Sequence, residues 1–160
     1  MKSTQESTSH VLQCKDEAAC QLWDKEIEKL RKWMSTQPLH PQLAKQIILY
    51  LNSWKCRVPK PRNLPVQFLL CKAILQQDRL GWKQFIEGFW SKHWNECQAE
   101  YFKAINRPNS STLLLSKVQR RIWQIAWEMW FHRNQHLHSN SSSTPAVEQL
   151  PTRKLHKNGI

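Results

Sequence analysis

The stretch LLLSKVQRRIWQIAWEMWFHRNQHLH, residues 113–138, decides the fold because it reads as one long helix that is apolar around most of its circumference. Its apolar side chains recur at three- and four-residue steps and occupy two adjoining faces. These faces consist of Trp123, Trp127 and Trp130 on one side and of Val118, Ile122, Ile125 and Met129 on the other. Several neighbours normally bury such a helix, so the spacing predicts a central helix whose tryptophans belong to the core.

Helical periodicity extends over most of the chain, and runs of alternating β-branched residues are absent, so the sequence predicts an all-α fold of about five helices. Asp16 is placed to start the first helix and Pro41 the second, while a third begins near Pro65. A continuous apolar stripe then predicts one helix over about 82–106. A short connection leads to the helix at about 113–138, so we expect two long antiparallel helices packed with three shorter ones.

Composition divides the chain into three parts. Residues 1–14 are predicted to be a disordered N-terminus that carries the remnant of a zinc-binding motif. Residues 15–138 form the helical domain, in which the proline-rich and basic segment CRVPKPRN, residues 56–63, acts as a linker. Residues 139–160 are rich in serine, proline and charge, and we expect a disordered tail with a basic end.

The chain of 160 residues carries 24 Lys and Arg against 12 Asp and Glu, a net charge of +12. This excess favours an acidic partner, most commonly nucleic acid, although it also fits an ordinary solvated surface. The sequence lacks an apolar run long enough for a membrane helix and lacks a signal peptide, so an intracellular location in nucleus or cytoplasm is expected. Five scattered cysteines do not suggest a disulfide framework.

Catalytic patterns are absent from the sequence. It contains neither a glycine-rich phosphate loop nor a G-x-S-x-G elbow. Two-metal nucleotidyl transfer needs clustered carboxylates, whereas the aspartates Asp16, Asp24 and Asp78 are far apart in the sequence. We therefore expect a protein that is not an enzyme.

Two histidine patterns raise the question of a metal. His10 and Cys14 lie four residues apart and can present one half of a tetrahedral zinc site. His132 and His136 have the same spacing near a helix end, where histidines also suit the helix dipole. No Cys-x-x-Cys pair precedes His10, and Cys20, which could supply one further ligand, also falls beside the buried stripe of the first helix. The second pair has no acidic or cysteine partner nearby in sequence. We expect no cofactor, and zinc only if missing ligands are supplied.

Two local motifs together resemble a known family. The first is His10-x-x-x-Cys14 followed by Asp16 and Trp23, and the second is Trp127-x-x-Trp130-x-x-Arg133-Asn134. They resemble the zinc-binding and helical region that follows the polymerase domain in non-LTR-type retroelement reverse transcriptases. The Gly81-Trp82 pair also fits such reading frames. The resemblance implies that His10 and Cys14 are zinc ligands of a site whose first Cys-x-x-Cys pair is missing. It implies a fragment truncated at its N-terminus that lacks the polymerase region.

Two functions remain open at this point. The first is a non-enzymatic, retroelement-derived helical accessory module that contacts RNA or DNA through a basic surface. Its candidate phosphate-binding residues are Lys55, Arg57, Lys60, Arg62, Lys117, Arg120 and Arg121. The alternative is a helical protein-interaction or scaffold module, or a degenerate retroelement fragment without activity. Membrane binding is not expected. We assign Arg133 a structural, partly buried role.

Overall fold

The structure, a computed structural model, describes residues 7–59 and 63–139. Within these ranges the chain forms seven α-helices and no β-strand, which confirms the all-α class. The helices are α1 (Thr8–Leu12), α2 (Glu17–Ser35), α3 (Pro41–Cys56), α4 (Phe68–Leu80), α5 (Trp82–Glu87), α6 (Lys92–Ala104) and α7 (Ser111–Ser139).

The starts of α2 and α3 follow local chemistry and agree with the sequence prediction. The Asp16 carboxylate caps α2 by accepting a hydrogen bond from the Ala19 amide at 3.2 Å. Pro41 is the first residue of α3, where its fixed φ suits a helical first turn. His40 precedes it and caps α3, since its Nδ1 accepts from the Gln42 and Leu43 amides. The third predicted start was close, because α4 begins at Phe68 rather than Pro65.

Helix α7 is the element on which most of the others pack, and it contacts α1, α2, α5 and α6. One face of α7 is buried against them. Its buried residues are Leu114, Leu115, Val118, Gln119, Ile122, Ile125 and Met129. Helix α4 packs mainly on α5 and α6, and α3 packs on α2, α5 and α6. The core therefore lies on one side of α7, and its opposite side faces solvent.

The predicted continuous helix over 82–106 is wrong, because the chain breaks between α5 and α6. Gly88 adopts φ of +103° and ends α5, while the Phe89 amide donates to the Gln84 carbonyl at 2.9 Å, as in a Schellman motif. Ser91 then caps α6 by accepting from the His93 amide. Helix α6 is consequently 13 residues long against 29 for α7, so the expected pair of long helices and the count of about five are not found.

A buried glutamine holds this break in place. The Gln77 side chain is fully buried and makes four hydrogen bonds. Its Nε2 donates to the carbonyls of Gly81 and Phe89 at 3.2 and 3.1 Å. Its Oε1 accepts from the Ser91 amide at 2.9 Å and from the Trp94 indole at 3.1 Å. Because all its polar atoms are paired, Gln77 fixes the start of α5, the loop that follows α5 and the first turn of α6 from within the core.

The N-terminal prediction also needs correction. Residues 1–14 were expected to be disordered, but α1 forms with Ser7 as its cap. Val11 and Leu12 of α1 are buried, and the helix packs on α7. Burial of these two apolar residues stabilises a helix that is too short to form alone. Residues 1–6 lie outside the described part of the chain, as do residues 140–160 of the expected tail.

Candidate nucleic-acid interface

The solvent side of α7 carries a row of large aromatic side chains, which we call the α7 aromatic face. It consists of Trp123, Trp127, Trp130 and Phe131, which are 49%, 59%, 45% and 46% exposed. With about 150–250 Å² for each ring, the exposed area is roughly 300–500 Å². A single patch of this size on a monomer frequently marks a binding site. The expectation that these three tryptophans belong to the core is therefore wrong.

The end of α5 fixes the position of the Trp123 side chain. Its Nε1 donates to the Ile86 carbonyl at 2.8 Å, so α5 holds one edge of the indole. A Cβ placed on Gly88 would lie 3.0 Å from Trp123 Cζ2, a distance shorter than ordinary van der Waals contact. Gly88 thus ends α5 and also makes room for the indole. Trp123 is a preoriented aromatic platform at one end of the face.

Further along α7, the rings of Trp127 and Trp130 lie with their centroids 5.0 Å apart and their planes inclined by 33°. Trp127 is four residues beyond Trp123, and Trp130 three residues beyond Trp127. With a rise of about 1.5 Å per residue, the three positions are spaced by roughly 6 and 4.5 Å along the helix axis. The indoles therefore form an open row along the helix, with solvent on one side.

An open groove between α6 and α7 continues from Trp123 toward the start of α7, and we call it the α6–α7 groove. Its volume is about 680 Å³, and its lining includes Trp90, Lys92, Asn95, Arg120 and Trp123. Trp90 is half-buried, stacked on Phe85 at 4.3 Å between centroids. The groove thus combines indoles, amide groups and cations, the side-chain types that stack on bases and pair with phosphates.

The charges of the groove are unbalanced toward positive. Lys92 and Arg120 form no ion pair with any described residue. The lining also includes Glu96, whose carboxylate lies 2.6 Å from His93 Nδ1. This hydrogen bond holds the pKa of Glu96 below its ordinary value. The nearby charge of Lys92 lowers this pKa as well, so Lys92 and Glu96 partly offset each other, and Arg120 is the groove cation most available to an anionic ligand.

Of the predicted phosphate-binding residues, Lys117 and Arg120 lie exposed on the solvent side of α7. Arg120 is three residues before Trp123 and seven before Trp127, so it shares their face. Arg121 is directed elsewhere, because its guanidinium carbon lies 4.9 Å from the centroid of the Trp33 ring on α2. It also lines a small cavity with Glu26 and Glu128. Arg121 therefore stabilises the packing of α2 against α7.

The predicted basic linker is not part of this surface. Lys55 is only 5% exposed, and its Nζ donates to the Cys14 carbonyl. It also lies 5.9 Å from the Trp23 ring centroid. Arg57 adopts φ of +54° at the end of α3, and its Nε donates to Gln13 Oε1 at 3.1 Å. Both cations thus hold α3 against Gln13 and Cys14, the residues that follow α1. The prediction that Lys55 binds phosphate is therefore wrong, because its buried ammonium is out of reach of a ligand.

The residues that follow α1 lie far from Arg120 along α7. Cys14 shares a cavity with Met129 and Arg133, more than two helical turns beyond Arg120. The structure therefore separates Lys55 and Arg57 from Lys117 and Arg120. The remaining two predicted contacts, Lys60 and Arg62, lie outside the described residues. Arg133 is half-buried, in agreement with the structural role expected for it.

The candidate zinc ligands are not assembled into a site among the described residues. His10 is exposed, and Cys14 is half-buried. Residues 7–59 and 63–139 contain no group of three or more His, Cys, Asp and Glu side chains placed to hold a metal ion. The ring centroids of His132 and His136 lie 4.5 Å apart, so the two imidazoles contact each other. Zinc binding by His10 and Cys14 stays a prediction.

Comparison of the chain with models of protein families, with curated protein sequences and with solved structures gives no match. None of the seven described helices combines the length and apolar character that a bilayer-spanning segment requires.

Sequence reasoning missed the exposure of the α7 aromatic face, although a signal for it was present. Helix α7 has two apolar faces, and one of them already contains Val118, Ile122, Ile125 and Met129. The neighbouring helices cover only that face. Three further tryptophans on an adjoining face therefore exceed what one side of a small bundle can bury.

Proposed function

We propose that this protein is a non-enzymatic helical module that binds single-stranded nucleic acid along the α7 aromatic face and the α6–α7 groove. The observation that supports the proposal is the row of three half-exposed indoles next to unpaired cations on a protein of net charge +12. Proteins that bind single strands combine these two features, aromatic platforms for the bases and a positively charged path for the backbone.

In this proposal, bases stack on Trp123, Trp127 and Trp130, each worth about 1–3 kcal/mol. The ring centroids of Trp127 and Trp130 lie 5.0 Å apart, too close for a base to enter between them, so bases stack on the outer faces of this pair and on Trp123. Bases in a duplex are already stacked and paired with each other, so exposed indoles favour the free bases of a single strand. Arg120, Lys117 and Lys92 contact phosphates at the edge of the row. The exposed π-faces give little preference for sequence.

We also propose that the module derives from a retroelement reverse transcriptase, on the strength of the motifs that include Trp127, Trp130, Arg133 and Asn134. In this structure the two tryptophans of the second motif lie on the surface, while Arg133 and Asn134 are half-buried. The motif thus combines an exposed aromatic pair with a structural pair. The genomic sequence upstream of Met1 tests this origin: an in-frame Cys-x-x-Cys and polymerase domain are expected, and unrelated sequence would contradict it.

The test of function is a titration of the full chain with a fluorescent oligothymidylate or oligouridylate of about 12 nucleotides, within the site sizes known for single-strand binders. Wild type is expected to bind, and its affinity to fall steeply with salt. Arg120→Gln should reduce the slope of log K against log salt by about 0.7, the value for one phosphate contact on a single strand. Trp127→Leu should weaken binding about 5- to 150-fold with the slope unchanged.

Lys45→Gln is the matched control, because Lys45 is an exposed lysine on α3 that does not line the α6–α7 groove. It removes the same charge as Arg120→Gln and should leave both affinity and slope close to wild type. If Arg120→Gln and Lys45→Gln had equal effects, the binding would depend only on the net charge of the protein, which would contradict a defined site. An absence of binding at low salt would reject the proposal.

The alternative is a protein-interaction module in which the α7 aromatic face is covered by another protein or by a second copy. Aromatic side chains and arginine are enriched at such interfaces as well. Analytical ultracentrifugation of wild type and Trp127→Leu distinguishes the two functions. A stable oligomer that Trp127→Leu dissociates, together with an oligonucleotide affinity that this substitution leaves unchanged, would support the alternative.

A further inference from the structure

A second surface, unconnected with the proposed nucleic-acid interface, lies between the end of α2 and the length of α3. It is an open cleft of about 760 Å³, and we call it the α2–α3 cleft. None of its lining residues lines the α6–α7 groove or belongs to the α7 aromatic face. Helix α3 packs mainly on α2, α5 and α6, so the cleft does not adjoin the solvent side of α7.

The floor of the α2–α3 cleft is aliphatic. Met34, Leu39 and Ile48 line it and are otherwise buried, and Leu49 is 40% exposed within it. Leu49 is therefore a large apolar side chain on the outer side of α3 that a partner can contact. A floor of this kind receives apolar anchors at the i, i+3 and i+4 positions of a docking helix.

The charged side chains that line the cleft are both basic, and one of them is already paired with a carboxylate next to the cleft. Arg31 and Lys45 line its rim, and none of its described lining residues is an aspartate or glutamate. Arg31 lies 2.8 Å from Glu28 on the exposed face of α2, whereas Lys45 has no ion pair with a described residue. An occupant that carries carboxylates beside its apolar anchors complements this rim, and a basic one is repelled.

The chemistry of the cleft differs from that of the α7 aromatic face. Among the described residues that line the cleft, Tyr101 is the only one with a ring apart from proline, and it is half-buried beside His40 at 4.9 Å between centroids. The cleft therefore lacks the exposed row of rings on which unstacked bases bind. The protein's own C-terminal tail is a poor complement, because residues 140–160 contain Arg153, Lys154 and Lys157 against the single acidic residue Glu148.

We propose that the α2–α3 cleft docks an acidic amphipathic helix of a partner protein, with its apolar anchors on Ile48 and Leu49 and its carboxylates opposite Lys45, next to the Arg31–Glu28 ion pair. This inference goes beyond nucleic-acid binding and does not depend on it. Because the two surfaces share no residue, one copy of the module can hold a nucleic acid and a protein at the same time. The module then acts as a link between them.

The test uses three synthetic helical peptides that share leucines at i, i+3, i+4 and i+7 and differ only in their polar positions, which are all Glu, all Gln or all Lys. Binding of each to the full wild-type chain is measured by fluorescence anisotropy. The Glu peptide is expected to bind more tightly than the Lys peptide by roughly tenfold, since rim charges act mainly through charge complementarity. Equal binding of the Glu and Lys peptides, or no binding of the Glu peptide, would overturn the proposal.

Two variants locate the binding. Lys45→Glu should lower the affinity for the Glu peptide and raise that for the Lys peptide, which no loss of folding can imitate. Leu49→Gln removes the apolar contact without adding a charge, so it should weaken all three peptides by about fivefold or more, with circular dichroism as a check on its helix content. Peptide binding that neither variant alters would place the peptide elsewhere and refute the assignment. Oligonucleotide affinity is measured in parallel and should not change, so failure of this proposal is distinguishable from failure of the proposed function.

Discussion

Replacement of Gln77 by methionine tests whether the α5–α6 break is held from within the core. The Gln77 amide pairs with four groups, the carbonyls of Gly81 and Phe89, the Ser91 amide and the Trp94 indole. Methionine has a similar length and fills the same space, so the cavity term is small. It supplies no good donor or acceptor, and all four partners lose a hydrogen bond.

The expected cost follows from the burial of those partners. The Ser91 and Trp94 donors are buried, and a buried donor left without an acceptor costs about 1–3 kcal/mol. The two carbonyls are only partly buried and can turn to water. The free energy of unfolding should therefore fall by roughly 3–5 kcal/mol. This is a large share of the ~5–15 kcal/mol that stabilises a typical domain.

Urea unfolding followed by circular dichroism measures this change, and Gln119→Met is the matched control. Gln119 Nε2 donates to the Ile86 carbonyl, which also accepts from Trp123 Nε1, and Gln119 Oε1 is buried without a partner. Its replacement removes an unpaired acceptor and one hydrogen bond to a carbonyl that keeps its second donor, Trp123. The free energy of unfolding should therefore stay within about 1 kcal/mol of wild type. A Gln77→Met cost as small as that of the control would refute the reasoning.

Three further predictions concern the α3 cap, the α5 glycine and the buried thiol. Burial lowers the pKa of His40, whose Nδ1 caps α3. The free energy of unfolding should therefore fall as the pH drops below the ordinary value of 6.5. His40→Asn keeps a cap that does not titrate, so urea unfolding of this variant should show a weaker dependence on pH. Gly88→Ala should cost about 1–2 kcal/mol because of its positive φ, and should change the intrinsic fluorescence by displacing the Trp123 indole. That fluorescence change should be absent in a Trp123→Phe background, and Gly81→Ala, which has a backbone cost of its own, should not displace Trp123. Burial raises the pKa of the Cys97 thiol from 9.0 to about 11, so the free energy of unfolding should fall as the pH rises above 9.0. In the native protein iodoacetamide should label the exposed Cys56 before the buried Cys97, as judged by mass spectrometry.

Local signals in the sequence predicted the helix starts well. Asp16 and Pro41 act at the positions expected of them, because caps and first-turn prolines depend on a few neighbouring residues only. The break at Gly88 was missed although glycine is a common helix terminator. Phe89 and Trp90 continue the helical spacing of the apolar stripe, yet they lie in the loop, where Phe89 is largely exposed.

The candidate site could be predicted only in part, because periodicity identifies the faces of a helix but not the neighbours that cover them. Lys117 and Arg120 are exposed, as their polar spacing suggested. Trp127 follows the same period as a core residue and is 59% exposed, since no described helix packs over it. The burial of Lys55 depends on a contact with Cys14, 41 residues away in sequence, which no local pattern reveals.

The most direct test of the proposed function is to map where a single strand contacts the protein. A bromodeoxyuridine oligonucleotide of about 12 nucleotides is photocrosslinked to the full chain at low salt, and the adducts are located by mass spectrometry. We expect adducts on the α7 aromatic face, centred on Trp127 and Trp130, that disappear as salt is raised. Adducts that concentrate on α2 and α3, or that spread over all exposed lysines without preference for α7, would contradict it.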